Sequence, residues 1–264
     1  YLMIAGPTAA GKSGLAMALA ESAGGVVINA DSMQLYRDLH ILTARPDAAD
    51  EARVPHRLYG VLDGAARASV ARWLQMVGDE VADARHKGRL PVIIGGTGMY
   101  LQAAINGIAE IPEVPQAIHD SCMQMLAAHG GTAFRALLAR EDPETAARLF
   151  DGDSQRLVRA MGVVRATGRP ISAWQQDPHH GAIDGEAITI AVMPSRQTVY
   201  DAIDSRFSQM MDRGAVDEVA ALVARSLAVE LTELYRYCRL VCDFGHTCFL
   251  GRRAHPVKIN GFFR

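Results

Sequence analysis

The chain has few of the features that mark secreted or membrane proteins. It contains 4 cysteines in 264 residues, which is too few for a disulfide scaffold of this length. No apolar run reaches the roughly 18 residues that a membrane-spanning helix needs, and the N-terminus lacks the pattern of a secretory signal. These absences predict a cytoplasmic protein without a membrane partner.

The chain also lacks a large excess of charge of either sign. Its net charge of −2 gives no support for a nucleic-acid-binding surface over the whole chain, although a local basic face remains available. Residues 154–170 contain four arginines and no acidic residue. Among them, Arg156 and Arg159 stand three apart and so share one helix face, which could contact phosphates or only solvent. With 49% hydrophobic and 21% charged residues, the composition is that of a globular protein.

The first residues present a phosphate-binding motif. Residues 1–5 form an apolar run that predicts a strand, and an amphipathic helix is predicted from Leu15 onward. Backbone N–H groups of a P-loop face an anion at a helix N-terminus. Lys12 is predicted to reach an outer phosphate, and Ser13 to bind magnesium. The P-loop pattern of Gly, four residues, Gly, Lys and Ser reads here Gly6, Pro7, Thr8, Ala9, Ala10, Gly11, Lys12 and Ser13.

A second strand is predicted to end beside this motif. The apolar residues 26–28 lead into Asn29-Ala30-Asp31-Ser32. Because ligands of an open parallel sheet lie beyond the carboxyl ends of its strands, Asp31 is expected to face the same crevice as the P-loop. There an aspartate could bind magnesium or accept a proton from a substrate. Alternatively, Asp31 could cap the next helix, a position that Asp and Ser favour.

A third apolar strand, residues 90–94, runs into a second glycine-rich turn. This turn reads Gly95-Gly96-Thr97-Gly98, and a helix is predicted over residues 99–106. Three glycines in four residues permit a ligand to approach the backbone closely, although the same residues could form only a tight turn. The strand ends in glycine and not in the aspartate that nucleotide hydrolases place beside magnesium.

The remaining pattern divides the chain into parts. After Pro112 the alternation of strands and helices gives way to helices alone, and an apolar strand over residues 187–193 restores it. We therefore predict an α/β fold: a P-loop NTPase-like parallel sheet flanked by helices, with an all-helical insertion domain. The predicted parts are a first core part (1–111), a helical insertion (112–186), a second core part (187–231) and an atypical C-terminal tail (232–264).

Six ordered motifs together resemble the tRNA dimethylallyltransferase (tRNA isopentenyltransferase) family, over residues 1 to about 225. The motifs are the P-loop, Asn29-Ala30-Asp31-Ser32-Met33-Gln34-Leu35-Tyr36, Thr43-Ala44-Arg45-Pro46, Gly95-Gly96-Thr97-Gly98-Met99-Tyr100, Gln155-Arg156-Leu157-Val158-Arg159-Ala160, and the returning helix with Asp204-Ser205-Arg206-Phe207 and Glu218-Val219.

The resemblance implies a reaction. Members of this family transfer a dimethylallyl group from dimethylallyl diphosphate to the exocyclic amine of the adenine 3′-adjacent to the anticodon in tRNA. The P-loop would then hold the diphosphate leaving group, with magnesium (Mg2+) at Ser13. Lys12 and Arg206 would neutralise charge as the carbon–oxygen bond breaks. Asp31 would be the general base, and Thr97 would orient the target base or the phosphate chemistry.

The resemblance also implies contacts with the tRNA anticodon stem-loop. The target adenine must leave its stack before an enclosed site can reach it, and the helical insertion would hold the anticodon arm by shape and phosphate contacts. The protein is expected to act as a monomer. The candidate tRNA-binding residues are Asp31, Ser32, Met33, Gln34, His119, Gln155, Arg156, Leu157, Val158 and Arg159.

The C-terminal tail departs from the family pattern. Beyond about residue 231 the family continues to a basic helix that helps to bind tRNA, whereas this chain has a different sequence. Cys238, Cys242, His246 and Cys248 could form a zinc site, but their spacing lacks the paired two-residue gaps of zinc sites and favours ordinary thiols. Two other functions stay open: a small-molecule or nucleotide kinase that shares the P-loop, and an inactive RNA-binding relative.

Overall fold

The computed structural model describes residues 1–225, so the predicted tail and its cysteines lie outside the described residues. The described chain forms two compact units, one of Tyr1–Ile105 with residues 183–225, the other of Asn106–Ala182. In chain order the elements are β1 (Leu2–Ala5), α1 (Lys12–Ala23), β2 (Val26–Asn29), α2 (Ala48–Arg53), β3 (His56–Arg57), α3 (Val70–His86), β4 (Pro91–Ile94), α4 (Gly98–Asn106), α5 (Gln116–Glu141), α6 (Pro143–Arg148), α7 (Ser154–Thr167), α8 (Ile171–Trp174), β5 (Ile188–Ala191), α9 (Arg196–Asp212) and α10 (Ala215–Ala224).

The first unit is built on a parallel sheet of 5 strands in the order β3-β2-β4-β1-β5. Met3 of β1 lies opposite Ile93 of β4 and Thr189 of β5, and Val27 of β2 lies opposite Val92 of β4. All neighbouring strands run in the same direction, which places the carboxyl ends of β1, β2 and β4 at one edge. The predicted α/β fold with a parallel sheet is confirmed.

The central strands are apolar because helices cover them. Ile4, Ile28 and Ile93 are each 0% exposed, as the continuous apolar runs of β1, β2 and β4 predict for a parallel sheet. Trp73 of α3 is also 0% exposed, and its indole N–H donates to the Asn29 carbonyl at the end of β2 (2.8 Å). The core therefore fixes the end of β2, where the residues of interest begin.

The helical unit starts and ends earlier in the chain than the predicted insertion, residues 112–186. The Ile108 N–H donates to the His180 carbonyl (3.0 Å), and the His180 N–H donates to the Ile108 carbonyl (2.9 Å). This antiparallel bridge joins the segment before residue 112 to the segment that follows α8. The Ile183 N–H donates to the Ala104 carbonyl (2.9 Å), so the chain is already part of the α/β unit at that point.

Within the helical unit, α5 packs against α6 and α7. Gly130, with φ of 75° and ψ of 166°, interrupts α5 with a kink. The core of the unit contains Phe134 and Leu138 of α5 together with Leu157 and Met161 of α7, all buried. No helix within residues 1–225 is long and apolar enough to cross a membrane.

Candidate active site

The P-loop connects β1 to α1 in a conformation that needs glycine at two positions. Gly6 has φ of 150° and Gly11 has φ of 87°, and Gly11 caps the start of α1 without a side-chain hydrogen bond. A Cβ atom at Gly6 would also collide with the Val192 carbonyl group. The turn thus leaves the first N–H groups of α1 available to an anion.

Lys12, the first residue of α1, folds back over the P-loop. Its Nζ donates to the carbonyl oxygens of Gly6 (3.0 Å) and Pro7 (2.6 Å). Burial lowers the pKa of Lys12, the nearby Asp31 carboxylate partly offsets this, and the Arg206 guanidinium lowers the pKa further. Lys12, Asp31 and Arg206 are therefore close enough to form one electrostatic site.

These residues border a single cleft of about 440 Å³ at the carboxyl edge of the sheet. Within the described residues, most of the P-loop and both predicted catalytic charges, Asp31 and Arg206, contribute to its wall. Gly6, Pro7 and Thr97 do not line it. The lining residues are Thr8, Ala9, Ala10, Gly11, Lys12, Ser13, Asp31, Gln34, Ala44, Tyr59, Ile94, Gly95, Gly96, Ala202, Ser205, Arg206 and Gln209.

Asp31 is held in place by the side chain of Asn29, which is 0% exposed. The Asn29 amide donates to the carbonyl oxygens of Asp31 (2.9 Å) and Leu58 (3.0 Å), and its oxygen accepts from the Asp31 N–H (2.8 Å). Oδ1 of Asp31 accepts from the Met33 N–H (2.9 Å). Within the described chain no helix begins between Asp31 and Ala48, so the helix-capping alternative is wrong and the aspartate instead closes a short turn.

Thr97 joins the second glycine-rich turn to the segment after Asp31. Its hydroxyl accepts from the Ser32 N–H at 3.4 Å. Gly95 has no space for a side chain, because a Cβ atom there would collide with the backbone carbonyl of Ala30. The glycine at this position permits close packing between the ends of β2 and β4.

Arg206 reaches the cleft from α9. Its guanidinium donates to the Thr43 carbonyl (3.1 Å), which also accepts from the Gln34 side-chain amide (2.8 Å). The predicted tRNA-binding residue Gln34 therefore helps to hold the loop beside the cleft. Ser32 and Met33, in the same segment, are half-buried.

Two residues near this cleft were missed by sequence reasoning. Tyr59 follows β3 and lines the cleft, and burial together with the Asp31 carboxylate raises its pKa, so the hydroxyl stays protonated. Glu218 of α10 accepts three backbone hydrogen bonds from residues 40–42. Neither residue carries a local motif, although Glu218 lies in a segment that contributed to the family resemblance.

The other predicted tRNA-binding residues belong to the helical unit. Gln155 is exposed, Arg156 is 73% exposed beside Asp153, and His119 is 44% exposed. Arg159 donates to the Pro112 carbonyl (3.3 Å).

The prediction for Leu157 and Val158 needs correction. These residues are 0% and 2% exposed and belong to the core of the helical unit. They pack into this core, whereas Arg156, in the first turn of α7, is exposed. Their side chains are therefore unavailable to RNA.

The donors available for a metal at the cleft are few. No group of three or more His, Cys, Asp or Glu side chains that could hold an ion occurs in residues 1–225. The Ser13 hydroxyl and the Asp31 carboxylate both line the cleft and are oxygen donors, the type that magnesium prefers. A magnesium ion here would take its other ligands from substrate phosphates and water, its usual mode of binding.

Known proteins resemble this chain over most of its length. Residues 34–242 match the family described as IPP transferase. A tRNA dimethylallyltransferase of Azorhizobium caulinodans is 48% identical over 234 residues, covering 88% of this chain and 75% of the relative. One from Rhodospirillum rubrum is 48% identical over 247 residues, covering 90% of this chain and 76% of the relative.

Solved structures share the fold. A tRNA isopentenylpyrophosphate transferase of Bacillus halodurans has a TM-score of 0.57 at 29% identity, over 89% of this chain and 76% of that one. A eukaryotic dimethylallyltransferase acting on tRNA has a TM-score of 0.70 at 24% identity. The match covers 88% of this chain and 58% of that enzyme. This chain belongs to the IPP transferase family.

Proposed function

We propose that this chain transfers a dimethylallyl group from dimethylallyl diphosphate to the exocyclic amine of the adenine 3′-adjacent to the anticodon in tRNA, and releases diphosphate. Family membership supports the proposal, since the relatives at 48% identity are named tRNA dimethylallyltransferase. The observation that carries it is the shared cleft, in which a phosphate cradle and the Asp31 carboxylate line one wall. A group-transfer enzyme needs both an anion site for its leaving group and a base for its acceptor.

The P-loop end of the cleft would bind the donor diphosphate. The N–H groups at the start of α1, the Lys12 ammonium and the Arg206 guanidinium would stabilise negative charge as the bond between the allylic carbon and the diphosphate oxygen breaks. Ser13 would bind a magnesium ion, which supplies further charge neutralisation on the diphosphate when bound. Because Lys12 donates to its own loop carbonyls, binding of the diphosphate would draw its Nζ away from them.

The Asp31 end of the cleft would receive the adenine. As the nitrogen–carbon bond forms, the exocyclic amine becomes more acidic and loses a proton, which the Asp31 carboxylate would accept. Among the hydrogen bonds of the described residues, the Met33 N–H donates to Oδ1 of Asp31, which leaves Oδ2 for the proton. Thr97 would act indirectly, because its hydroxyl accepts from the Ser32 N–H beside Asp31.

Recognition of tRNA would involve two sets of residues. Asp31, Ser32, Met33 and Gln34 would contact the extruded adenine and its neighbours, because an enclosed site acts on a base removed from its stack. The helical unit would contribute contacts to the phosphates of the anticodon stem, through His119, Gln155, Arg156 and Arg159. We further propose that the protein acts in the cytoplasm as a monomer.

A transfer assay tests the proposal. Radiolabelled dimethylallyl diphosphate is incubated with the protein, magnesium and an anticodon stem-loop that carries adenine at the target position. We expect label on this RNA and none on a matched RNA with guanine at that position. Adding a chelator in excess of magnesium should abolish the signal, because the diphosphate end loses charge neutralisation.

Measurements of ATP turnover and of stem-loop binding, made beside this assay, distinguish the two other candidate functions. Hydrolysis of ATP, or transfer of its terminal phosphate, without prenylation of RNA would indicate a kinase. Tight binding of the stem-loop without product at saturating donor would indicate an inactive RNA-binding relative. Either result would overturn the proposed transfer activity.

A further inference from the structure

Glu218 makes an unusually dense set of contacts for a half-buried carboxylate. Oε2 accepts from the backbone N–H groups of His40 (2.8 Å) and Ile41 (2.7 Å), and Oε1 accepts from that of Leu42 (2.9 Å). Three successive N–H groups around one carboxylate form an anion-binding turn, and hydrogen bonds to a charged acceptor are stronger than neutral ones. The carboxylate therefore connects residues 40–42 to α10.

The residue that follows this turn holds Arg206. The Thr43 hydroxyl donates to the Leu39 carbonyl (2.8 Å), and the Thr43 carbonyl accepts from Arg206 (3.1 Å) and Gln34 (2.8 Å). Thr43 itself is only 4% exposed. A chain of contacts thus runs from Glu218 through residues 40–43 to the guanidinium in the cleft wall.

The position of Glu218 near the start of α10 does not by itself explain its three hydrogen bonds to residues 40–42. Glu218 is the fourth residue of α10, near a helix N-terminus where acidic side chains are stabilised by the helix dipole. Asp217, the residue before it, is exposed, and of these two carboxylates only Glu218 accepts hydrogen bonds from residues 40–42. Dipole stabilisation alone would not require three contacts to a segment 176 residues away.

We propose that Glu218 is a positioning residue for the transfer reaction, which fixes residues 40–43 so that the Thr43 carbonyl orients Arg206 toward the diphosphate. The proposal rests on the proposed function, because it assigns Arg206 to the leaving group. Without the carboxylate, three N–H groups lose a charged acceptor and Arg206 samples other orientations. The stabilisation that Arg206 gives is needed most in the transition state, when negative charge develops on the departing diphosphate. We therefore expect kcat to fall more than KM rises.

A double-mutant cycle tests this coupling. Glu218→Gln removes the charge with little change in size, and Arg206→Gln removes the guanidinium. We expect Glu218→Gln to lower kcat/KM by about 10- to 100-fold in the natural background, mainly through kcat, and by less than about 3-fold in the Arg206→Gln background. Asp217→Asn is the matched control, since it removes the same charge from the adjacent residue, and should stay within about 2-fold of the natural chain.

Equal losses in both backgrounds would overturn the proposal, because Glu218 would then act independently of Arg206. If Glu218→Gln does not fold, as judged by thermal unfolding, Glu218→Asp is put through the same cycle. Asp keeps the charge but shortens the reach, so we expect an intermediate loss that again disappears in the Arg206→Gln background.

A binding measurement separates failure of this proposal from failure of the proposed function. Affinity for inorganic diphosphate with magnesium is measured by calorimetry for the same four chains. We expect Glu218→Gln to weaken binding by about 3- to 10-fold only when Arg206 is present. If the natural chain binds diphosphate but forms no prenylated RNA, the transfer function fails, while these affinities still test the coupling. The coupling is then rejected if the effects of the two substitutions on the free energy of diphosphate binding are additive.

Discussion

The P-loop and the loop of residues 31–45 border the same cleft but are stabilised in different ways. The P-loop is shaped by its own residues: Gly6 and Gly11 adopt positive φ, and Lys12 donates to carbonyls of the same loop. The loop of residues 31–45 depends on distant side chains, above all Glu218. The conformation of the P-loop therefore depends on local sequence, whereas the conformation of the other loop depends on contacts within the folded unit.

A second difference between the two loops concerns charge. The P-loop offers backbone N–H groups and one ammonium to an anion, while the other loop presents the Asp31 carboxylate and holds Arg206 through the Thr43 carbonyl. Opposite charges thus meet in one cleft, where burial lowers the pKa of Lys12 and the Asp31 carboxylate partly offsets this. Variants of single residues in each loop should therefore affect different steps of the reaction.

The largest effect is expected from Asp31→Asn. Asn can still accept from the Met33 N–H, so the turn should persist, but it cannot act as a general base. We expect the single-turnover rate of prenyl transfer to fall by about 10²- to 10⁴-fold, with RNA and diphosphate affinities nearly unchanged. Asp47→Asn, at the exposed cap of α2, serves as the control. Full activity in Asp31→Asn would remove Asp31 from the role of base.

A slightly smaller effect is expected from Lys12→Ala. If Lys12 stabilises the leaving diphosphate as proposed, kcat should fall by about 10²- to 10³-fold when the ammonium is lost, by analogy with other electrostatic stabilisers. In contrast to Asp31→Asn, binding of inorganic diphosphate should weaken as well. Lys87→Ala, an exposed lysine on the surface of the same unit, should leave both quantities unchanged. Diphosphate affinity equal to that of the natural chain would show that Lys12 does not contact the donor.

The same comparison explains what the sequence could and could not predict. The P-loop, the apolar runs of the central strands and the position of Asp31 at the end of β2 follow from short patterns, and the parallel sheet agrees with them. The roles of Asn29 and Glu218 depend on contacts between residues far apart in the chain, for which no local pattern exists. Such partners emerge only when the strands and helices are packed.

The prediction that Leu157 and Val158 bind tRNA, as part of the run of residues 155–159, conflicts with a pattern in the sequence itself. The family resemblance favours the whole run, but a helix buries one face of such a segment. Leu157, Val158, Met161 and Val164 follow the apolar spacing of a core-facing helix side, and all four are buried. The helical periodicity alone is therefore enough to assign Leu157 and Val158 to the core.

Gly95→Ala should affect stability, since it disturbs the contact that places Asp31 beside the P-loop. The added Cβ atom would collide with the Ala30 carbonyl, and overpacking of this kind costs about 1–3 kcal/mol. Urea-induced unfolding should show this loss in the free energy of unfolding. Gly98→Ala in the same turn has nothing within 4 Å of the new atom and should change stability by less. If both variants are equally stable, close packing is not the reason for glycine at position 95.

The smallest effect should come from Arg156→Ala combined with Arg159→Ala, which lie in neither loop. If both side chains bind RNA phosphates, the slope of log affinity against log salt should decrease by about 0.7–0.9 for each arginine that is replaced. The loss in RNA affinity itself should be modest, because Asp153 lies 3.3 Å from Arg156 and already neutralises part of its charge.

Diphosphate affinity should not change in this double variant, in contrast to Lys12→Ala. Arg165→Ala is the matched control, because nine residues along a helix place it about 180° from Arg156, and it should leave the salt slope unchanged. If the slope is also unchanged in the double variant, neither Arg156 nor Arg159 contacts RNA phosphates, and the phosphate contacts of the helical unit lie elsewhere.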